Sequence, residues 1–375
     1  MEREKIFLLA LKLIEGVGDM NAKNLLSYCG SGEAVFNAGK AKLLKIPGIG
    51  AAIADNIMHN KSLILERARE EWEFIQKNNI QLTFITENAY PDKLKQCIDA
   101  PFLLFYKGNV PLASMRRNVA VVGTRNASDY GREVCQKIVA DLQKYQVNII
   151  SGLAYGIDHA AHAEAVKQQM PTIGVVAHGL DTIYPAQHKS LASKMQQNGG
   201  VLSEFYSKTQ ADRENFPKRN RIIAGLADAV LVVETAKKGG SIITAHLAFS
   251  YNRDVLAVPG RVGDARSEGC NWLIKKNVAA LVESAEDIAA LMLWTENIDA
   301  KPSVNVQQKQ LFLELNPVET KIIAVLQDSA EKQLHIDVLS VHCALPQSEI
   351  SANLLQLELK SALKVLPGSM VKLLS

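Results

Sequence analysis

The residues with the best prospects for chemistry sit in short tracts that each follow an apolar run. Gly123-Thr124-Arg125-Asn126 is the first. Ser151-Gly152-Leu153-Ala154-Tyr155-Gly156-Ile157-Asp158 is the second, and His178-Gly179-Leu180-Asp181 with Tyr184-Pro185 is the third. Further on comes Lys237-Lys238-Gly239-Gly240-Ser241, which opens a helical stretch. Glycine lets a backbone approach a phosphate, and the free N–H groups at a helix start attract anions. Arg and Lys beside these glycines favour an anion-binding rim over a set of plain tight turns. Gly123, Arg125, Gly240 and Ser241 are its candidate residues.

The most informative tract is Asn215-Phe216-Pro217-Lys218-Arg219-Asn220-Arg221. From Arg213 to Arg221, four cations accompany one anion, Glu214. Cations that track a backbone, with a ring that stacks a base, are the recipe for binding single-stranded nucleic acid. A solvated basic helix start is the plain alternative. Duplex DNA is less favoured, because it needs no interleaved ring.

Other constellations are weaker. Asp158, His159 and His162 share a helix face, as metal ligands can. No third ligand is visible, and Asp158 reads better as the cap of the helix it begins. Glu204 and Glu234 end strands that look adjacent, so an acid/base pair is conceivable. A structural role is the stronger reading. No G-x-G-x-x-G follows the first strand and no G-x-x-x-x-G-K-[ST] loop exists, which argues against nicotinamide or ATP chemistry. Neither cofactor nor metal is expected.

The elements that must position these tracts follow from periodicity. Strands are predicted at 119–122, 147–151, 172–177, 200–203, 229–234, 255–258 and 279–282, with helices such as 128–145 and 241–251 between them. Runs such as Ala229-Val230-Leu231-Val232-Val233 are apolar on both faces, which means a parallel sheet covered by helices. Residues 81–294 therefore read as a Rossmann-like, doubly wound α/β domain. In such sheets ligands sit at the carboxyl ends of the strands, where the tracts fall. Two more strand-like runs, 80–85 and 102–106, precede the first of these strands. Residues 1–80 read as helices interrupted by two glycine turns, Gly16-Val17-Gly18 and Gly48-Ile49-Gly50, which fit helix-hairpin-helix units. Residues 295–316 are polar and aperiodic, a linker. Residues 317–375 give three short helices and two strands around Pro367-Gly368, the order of a winged helix. Its third helix, 347–360, carries one Lys, so protein contact is favoured over DNA contact.

At 375 residues, and ~150 residues per domain, two or three domains are expected. With 47% apolar residues the chain can bury a large core, and no apolar run approaches the ~18 residues of a membrane span. The start of the chain lacks signal-peptide character. Five scattered cysteines suit a reducing cytoplasm. The net charge of +3 is small, so any nucleic-acid surface must be local.

Taken together, these tracts resemble the DNA-processing protein A (DprA, or Smf) family. The resemblance is carried by VAVVGTRNASDYGREV from Val119, SGLAYGIDHAAH from Ser151, HGLDTIYP from His178 and GGVLSEF from Gly199. It continues in NFPKRNRIIAGLADAVLVVE from Asn215, GGSIITAHLA from Gly239 and AVPG at 257–260. It implies an extended Rossmann-like fold with a helix-hairpin-helix or SAM-like N-terminal domain and a winged-helix C-terminal domain. It implies a homodimer that binds single-stranded DNA, protects incoming DNA and loads the RecA recombinase in natural transformation. By motif position it places Gly123, Arg125, Lys218, Arg219 and Arg221 at the DNA, with Phe216 the candidate stacking ring; Thr124, Asn220, Gly240 and Ser241, from the same tracts, complete the DNA-binding candidates. Phosphoribohydrolases of the same superfamily carry P-G-G-x-G-T-x-x-E, whose Glu does chemistry. The aligned GGSIITAHLA lacks that Glu, so a non-enzymatic protein is favoured over a nucleotide hydrolase.

Overall fold

Alternate residues of the central strands enter different cores. Val119 and Val121 pack on one side of the sheet, while Ala120 and Val122 pack on the other. Both faces are covered, and this is the physical meaning of the uninterrupted apolar runs. Fully burying each such valine contributes about 1.5–3 kcal/mol.

The computed structural model describes residues 2–295, 316–327, 329, 333–360, 362–366 and 369–373. It divides into two compact units, residues 1–298 and 299–375. Apart from its end residues, the predicted linker 295–316 lies outside the described residues, as does the Pro367-Gly368 turn. Among the described residues no helix is long and apolar enough to cross a membrane.

The first unit contains a nine-stranded sheet. Its strands are β1 (Gln81–Phe84), β2 (Leu103–Gly108), β3 (Asn118–Val122), β4 (Asn148–Ser151) and β5 (Thr172–Val175). They are followed by β6 (Gly199–Ser203), β7 (Ala229–Val232), β8 (Asp254–Ala257) and β9 (Ala280–Leu281). The spatial order is β1-β2-β6-β5-β4-β3-β7-β8-β9. The seven strands from β3 onward run parallel, with Val119 of β3 opposite both Ile149 of β4 and Ala229 of β7. β1 and β2 are antiparallel additions beyond β6. From β3 the chain steps one way through β4, β5 and β6, then crosses back to β7 and steps the other way. The topological switch point is therefore the crevice between the carboxyl ends of β3 and β7.

Six helices precede the sheet: Glu2–Leu13, Asp19–Cys29, Gly32–Phe36, Lys40–Leu43, Ala51–His59 and Lys61–Lys77. Both glycine turns fall between helices as the sequence suggests, and they are pinned together. Asn21 donates to the Gly16 carbonyl (3.3 Å) and Asn24 to the Pro47 carbonyl (3.0 Å). These helices share a core with the edge of the sheet: Leu9, Leu25 and Ile57 pack with Phe84, Phe102 and Phe105. Polar ties add to it. Tyr206 donates to the Leu9 carbonyl (2.6 Å), and Glu71 accepts from the Ser207 amide (2.9 Å), the Ser207 hydroxyl (2.6 Å) and Arg67 (2.8 Å).

The second unit has helices Pro317–Gln327, Ile336–Cys343 and Gln347–Leu359, with β10 (Gln333–His335), β11 (Leu363–Leu366) and β12 (Met370–Leu373). The strands form an antiparallel sheet in the order β10-β12-β11, a winged helix. β10 is absent from the sequence reading, since three residues are too few to show a period.

Glu71 is 1% exposed and is the hub between the last helix of the block and the segment after β6. Replacing it with Ala orphans the Ser207 amide and hydroxyl donors and should cost about 2–3 kcal/mol. Chemical denaturation measures this, and a loss below ~1 kcal/mol would show that apolar packing alone fixes the helical block.

Candidate nucleic-acid interface

The segments after β3 and β7 are stitched together by their backbones. Thr124 N–H donates to the Glu234 carbonyl (2.7 Å), and Ile157 N–H donates to the Thr124 carbonyl (3.2 Å). Gly156 makes the second contact possible. Its φ is +77°, and a Cβ there would lie 2.2 Å from the Thr124 oxygen. The result is a cleft of about 290 Å³ at the switch point.

Eight of the sequence-predicted residues line this cleft: Gly123, Thr124, Arg125, Phe216, Arg219, Asn220, Gly240 and Ser241. The helix Gly240–Ser250 presents its start there. Its N-cap, Gly239, is extended and offers no side-chain cap. The Ser241 hydroxyl donates instead to Thr235 Oγ1 (2.6 Å). The first amides of the helix are thus left for an anion. Arg125 is exposed, has no ion pair among the described residues, and places its guanidinium 4.8 Å from the Phe216 ring centroid.

Arg219 does something else. It is 4% exposed, and its Nη1 donates to the Gly152 carbonyl (2.6 Å) and to the Val175 carbonyl. It faces the buried Asp158, which accepts from the Gly152 and Ala154 amides (3.2 and 3.3 Å). Burial pushes the guanidinium down to about 10 and the Asp158 carboxyl up, and each charge opposes the other's shift. A Cβ on Gly152 would lie 2.4 Å from Arg219 Nη1, so glycine is what admits the guanidinium. Arg219 is a tether that joins the turns after β4 and β5 to the helix Asn215–Leu226.

Arg221 is a tether too. It pairs with Asp19 (3.1 Å) and with Glu204, and it donates to the Asp99 carbonyl. Burial pushes Glu204 up to about 7 against the pull of Arg221. Arg221 and the exposed Lys218 line a second, larger cleft of about 620 Å³ beside Lys12, Asp19 and Lys23. The helix therefore splits the basic tract. Phe216, Asn220 and Ile223 share the face toward the first cleft, at i, i+4 and i+7, and Lys218 and Arg221 share another.

The structure bears on three of the sequence readings. Glu204 and Glu234 are no pair, because β5, β4 and β3 separate β6 from β7. Glu234 accepts from the Ser128 amide (2.9 Å) and hydroxyl. Asp158 is not the helix cap. Gly156 holds that position, and Asp158 lies inside the helix Ile157–Lys167. Finally, His162 is committed to Thr172, with Nδ1 2.7 Å from the hydroxyl oxygen, and His159 stacks on His188 at 4.7 Å.

Two functional candidates were missed. Tyr155 and Tyr184 are exposed beside Phe216 and share a small recess with it and Arg125. The available signal was a tyrosine in each segment after β4 and β5.

Comparisons with known proteins give the family. The family model for DNA recombination-mediator protein A matches residues 81–293. The chain belongs to the DNA-processing protein A (DprA/Smf) family. A SAM-like helix-hairpin-helix tandem model matches residues 7–59, and a DprA winged-helix model matches residues 309–369. DNA processing protein DprA of Streptococcus pneumoniae is 43% identical over 206 residues, 55% of this chain and 72% of that protein. Protein Smf of Synechocystis is 31% identical over 399 residues, 97% of this chain and 98% of that protein. The X-ray structure of the Streptococcus pneumoniae protein is similar with a TM-score of 0.59 at 34% identity, covering 77% of this chain and 95% of that one. The Helicobacter pylori family member, whose structure is described as showing a single-stranded DNA binding mode, matches with a TM-score of 0.52 at 27% identity. That match covers 58% of this chain and 97% of that one.

Two stability predictions follow from the site. Arg219→Ala orphans two carbonyls and leaves Asp158 buried without its counter-charge, so a loss of about 3 kcal/mol is expected in denaturant melts. A variant with wild-type stability would refute the tether. The second concerns pH. Burial pushes His162 down to about 3. Its unfolded form takes a proton below about 6.5, which the folded form refuses. Stability should therefore fall on acidification below pH ~6.5, by up to ~1.4 kcal/mol per pH unit from this group. His162→Asn keeps a donor for Thr172 and removes the titration. A variant with the same pH slope as wild type would acquit His162.

Proposed function

We propose that the cleft at the β3/β7 switch point binds single-stranded DNA without sequence preference. The observation that carries this is the Arg125 guanidinium, exposed and without an ion pair among the described residues, against the Phe216 ring beside an uncapped helix start. A cation, a ring and free amides at one place suit a phosphate and the base next to it. The binding mode described for the Helicobacter pylori relative supports the same reading. Phosphate contacts in this cleft fall to Arg125 and the amides of Gly240 and Ser241, and the exposed Lys218, which lines the second cleft on the other face of the helix, meets a further phosphate of the strand. Gly123, Thr124 and Asn220 shape the wall, and Arg219 and Arg221 hold the scaffold.

On this reading the protein is not an enzyme. It acts in the cytoplasm as a homodimer, protects incoming single strands during natural transformation and passes them to RecA. These steps rest on family membership. Nucleotide hydrolysis is disfavoured because the carboxylates near the cleft, Asp158 and Glu234, are both engaged in protein hydrogen bonds. Incubation with nucleoside monophosphates should release no base.

The decisive experiment is a fluorescence-anisotropy titration with single-stranded and duplex oligomers across a salt series. Single strands should bind more tightly at ~0.15 M salt. Replacing Arg125 and Lys218 together by Ala should reduce the slope of log affinity against log salt by about 1.4 units, ~0.7 per phosphate. Phe216→Ala should weaken binding by ~1–3 kcal/mol and leave the slope unchanged. Equal or tighter duplex binding, or an unchanged slope in a natively folded double variant, would overturn the assignment.

A further inference from the structure

Tyr184 and Tyr155 extend the ring surface beyond Phe216. The Tyr184 ring lies 6.3 Å from the Phe216 ring at 57°. Both tyrosines keep large areas in solvent, 49% for Tyr184 and 43% for Tyr155. Two exposed rings beside a third and a cation, in segments following neighbouring strands of the sheet, are unusual for a surface with no task.

Both are held in place. Tyr184 N–H donates to His178 Nε2 (3.1 Å). That fixes the tautomer, so Nδ1–H of His178 donates to the Gly179 carbonyl (2.8 Å). The His178 ring is 1% exposed, and burial pushes its pKa down, which keeps Nε2 an acceptor. Tyr155 meets the buried His188 edge-on at 5.0 Å and donates its hydroxyl to Gln187 (2.7 Å). Rings already ordered lose little freedom when a ligand stacks on them.

The recess bounded by Arg125, Tyr155, Tyr184 and Phe216 has a volume of only about 20 Å³. No base can enter it, so a ligand here must lie on the rings. Arg125 borders both this recess and the switch-point cleft. A strand with one phosphate at Arg125 therefore has its neighbouring bases over these rings.

We infer that Tyr184 and Tyr155 are base-stacking residues for single-stranded DNA, and that the strand runs from the β3/β7 cleft across the carboxyl ends of β4 and β5. This rests on the single-strand reading of the cleft. The surface is sequence-tolerant, because every base offers a π-face. It is selective for single strands, because paired bases hide their faces in the helical stack.

The test uses the full chain and an unstructured single-stranded oligomer. Tyr184→Ala and Tyr155→Ala should each weaken binding roughly tenfold with an unchanged salt slope. Tyr184→Phe and Tyr155→Phe should bind within about twofold of wild type, since the ring remains. Photocrosslinking of the wild-type protein to a 5-bromouracil-substituted oligomer needs no variant to fold, and crosslinks should map to Tyr155 or Tyr184. If Phe216→Ala weakens binding while both tyrosine variants bind normally, the inference falls and the cleft assignment survives. If wild type shows no preference for single strands, the cleft assignment itself falls. Crosslinks confined to Phe216 or to other parts of the chain would also overturn the inference, as would Ala variants that change only the oligomeric state.

Discussion

A guanidinium buried beneath the switch point holds the rest of the site in register. Arg219 reaches from the helix Asn215–Leu226 to the carbonyls of Gly152 and Val175, opposite Asp158. Taking that charge out of water is costly, and the fold offsets the cost with two carbonyl oxygens and one carboxylate. In return, the ends of β4 and β5 and the start of that helix form one rigid frame. The turn after β3 is joined to it through Ile157 and Thr124. Arg125 is then free to meet a ligand, because another arginine already holds the structure.

The helix Asn215–Leu226 carries this division of labour along its length. Phe216 and Asn220 face the cleft. Arg219 is spent on the frame. Arg221 points to Asp19 and Glu204, so the same helix anchors the N-terminal helical block. Asp19 begins the helix after the first glycine turn and also accepts from the Phe102 amide (3.0 Å) and from Lys12 (2.7 Å). That turn is built into the fold by side chains. The glycines of both turns are exposed, but the second turn, Gly48-Ile49-Gly50, is held by Asn24 at the Pro47 carbonyl and follows the exposed Lys42 and Lys45. The two hairpins look alike in sequence but differ in what surrounds them.

Much of this was legible in the chain itself. Strand positions from 118 to 257 followed from apolar runs, because a strand buried on both faces cannot hide its composition. The glycine-bearing turns at strand ends, and hence the location of a ligand crevice, followed from parallel topology. The basic tract with its embedded ring named Phe216 and Lys218 directly, and the family resemblance followed from the order of several tracts.

Burial and neighbourhood belonged to the tertiary structure. Lys218, Arg219 and Arg221 are equivalent cations in sequence, yet only Lys218 is exposed. Their fates depend on carbonyls and carboxylates that lie 17 to 202 residues away. Glu204 and Glu234 looked adjacent because strand order is invisible to a one-dimensional pattern, and three strands separate them. Tyr155 and Tyr184 could not be placed beside Phe216 until β4 and β5 were paired. Local periodicity reports which side of an element is wet. It carries no information about which distant segment will dry that side, and here that decided which cations stay exposed and which are buried in the frame.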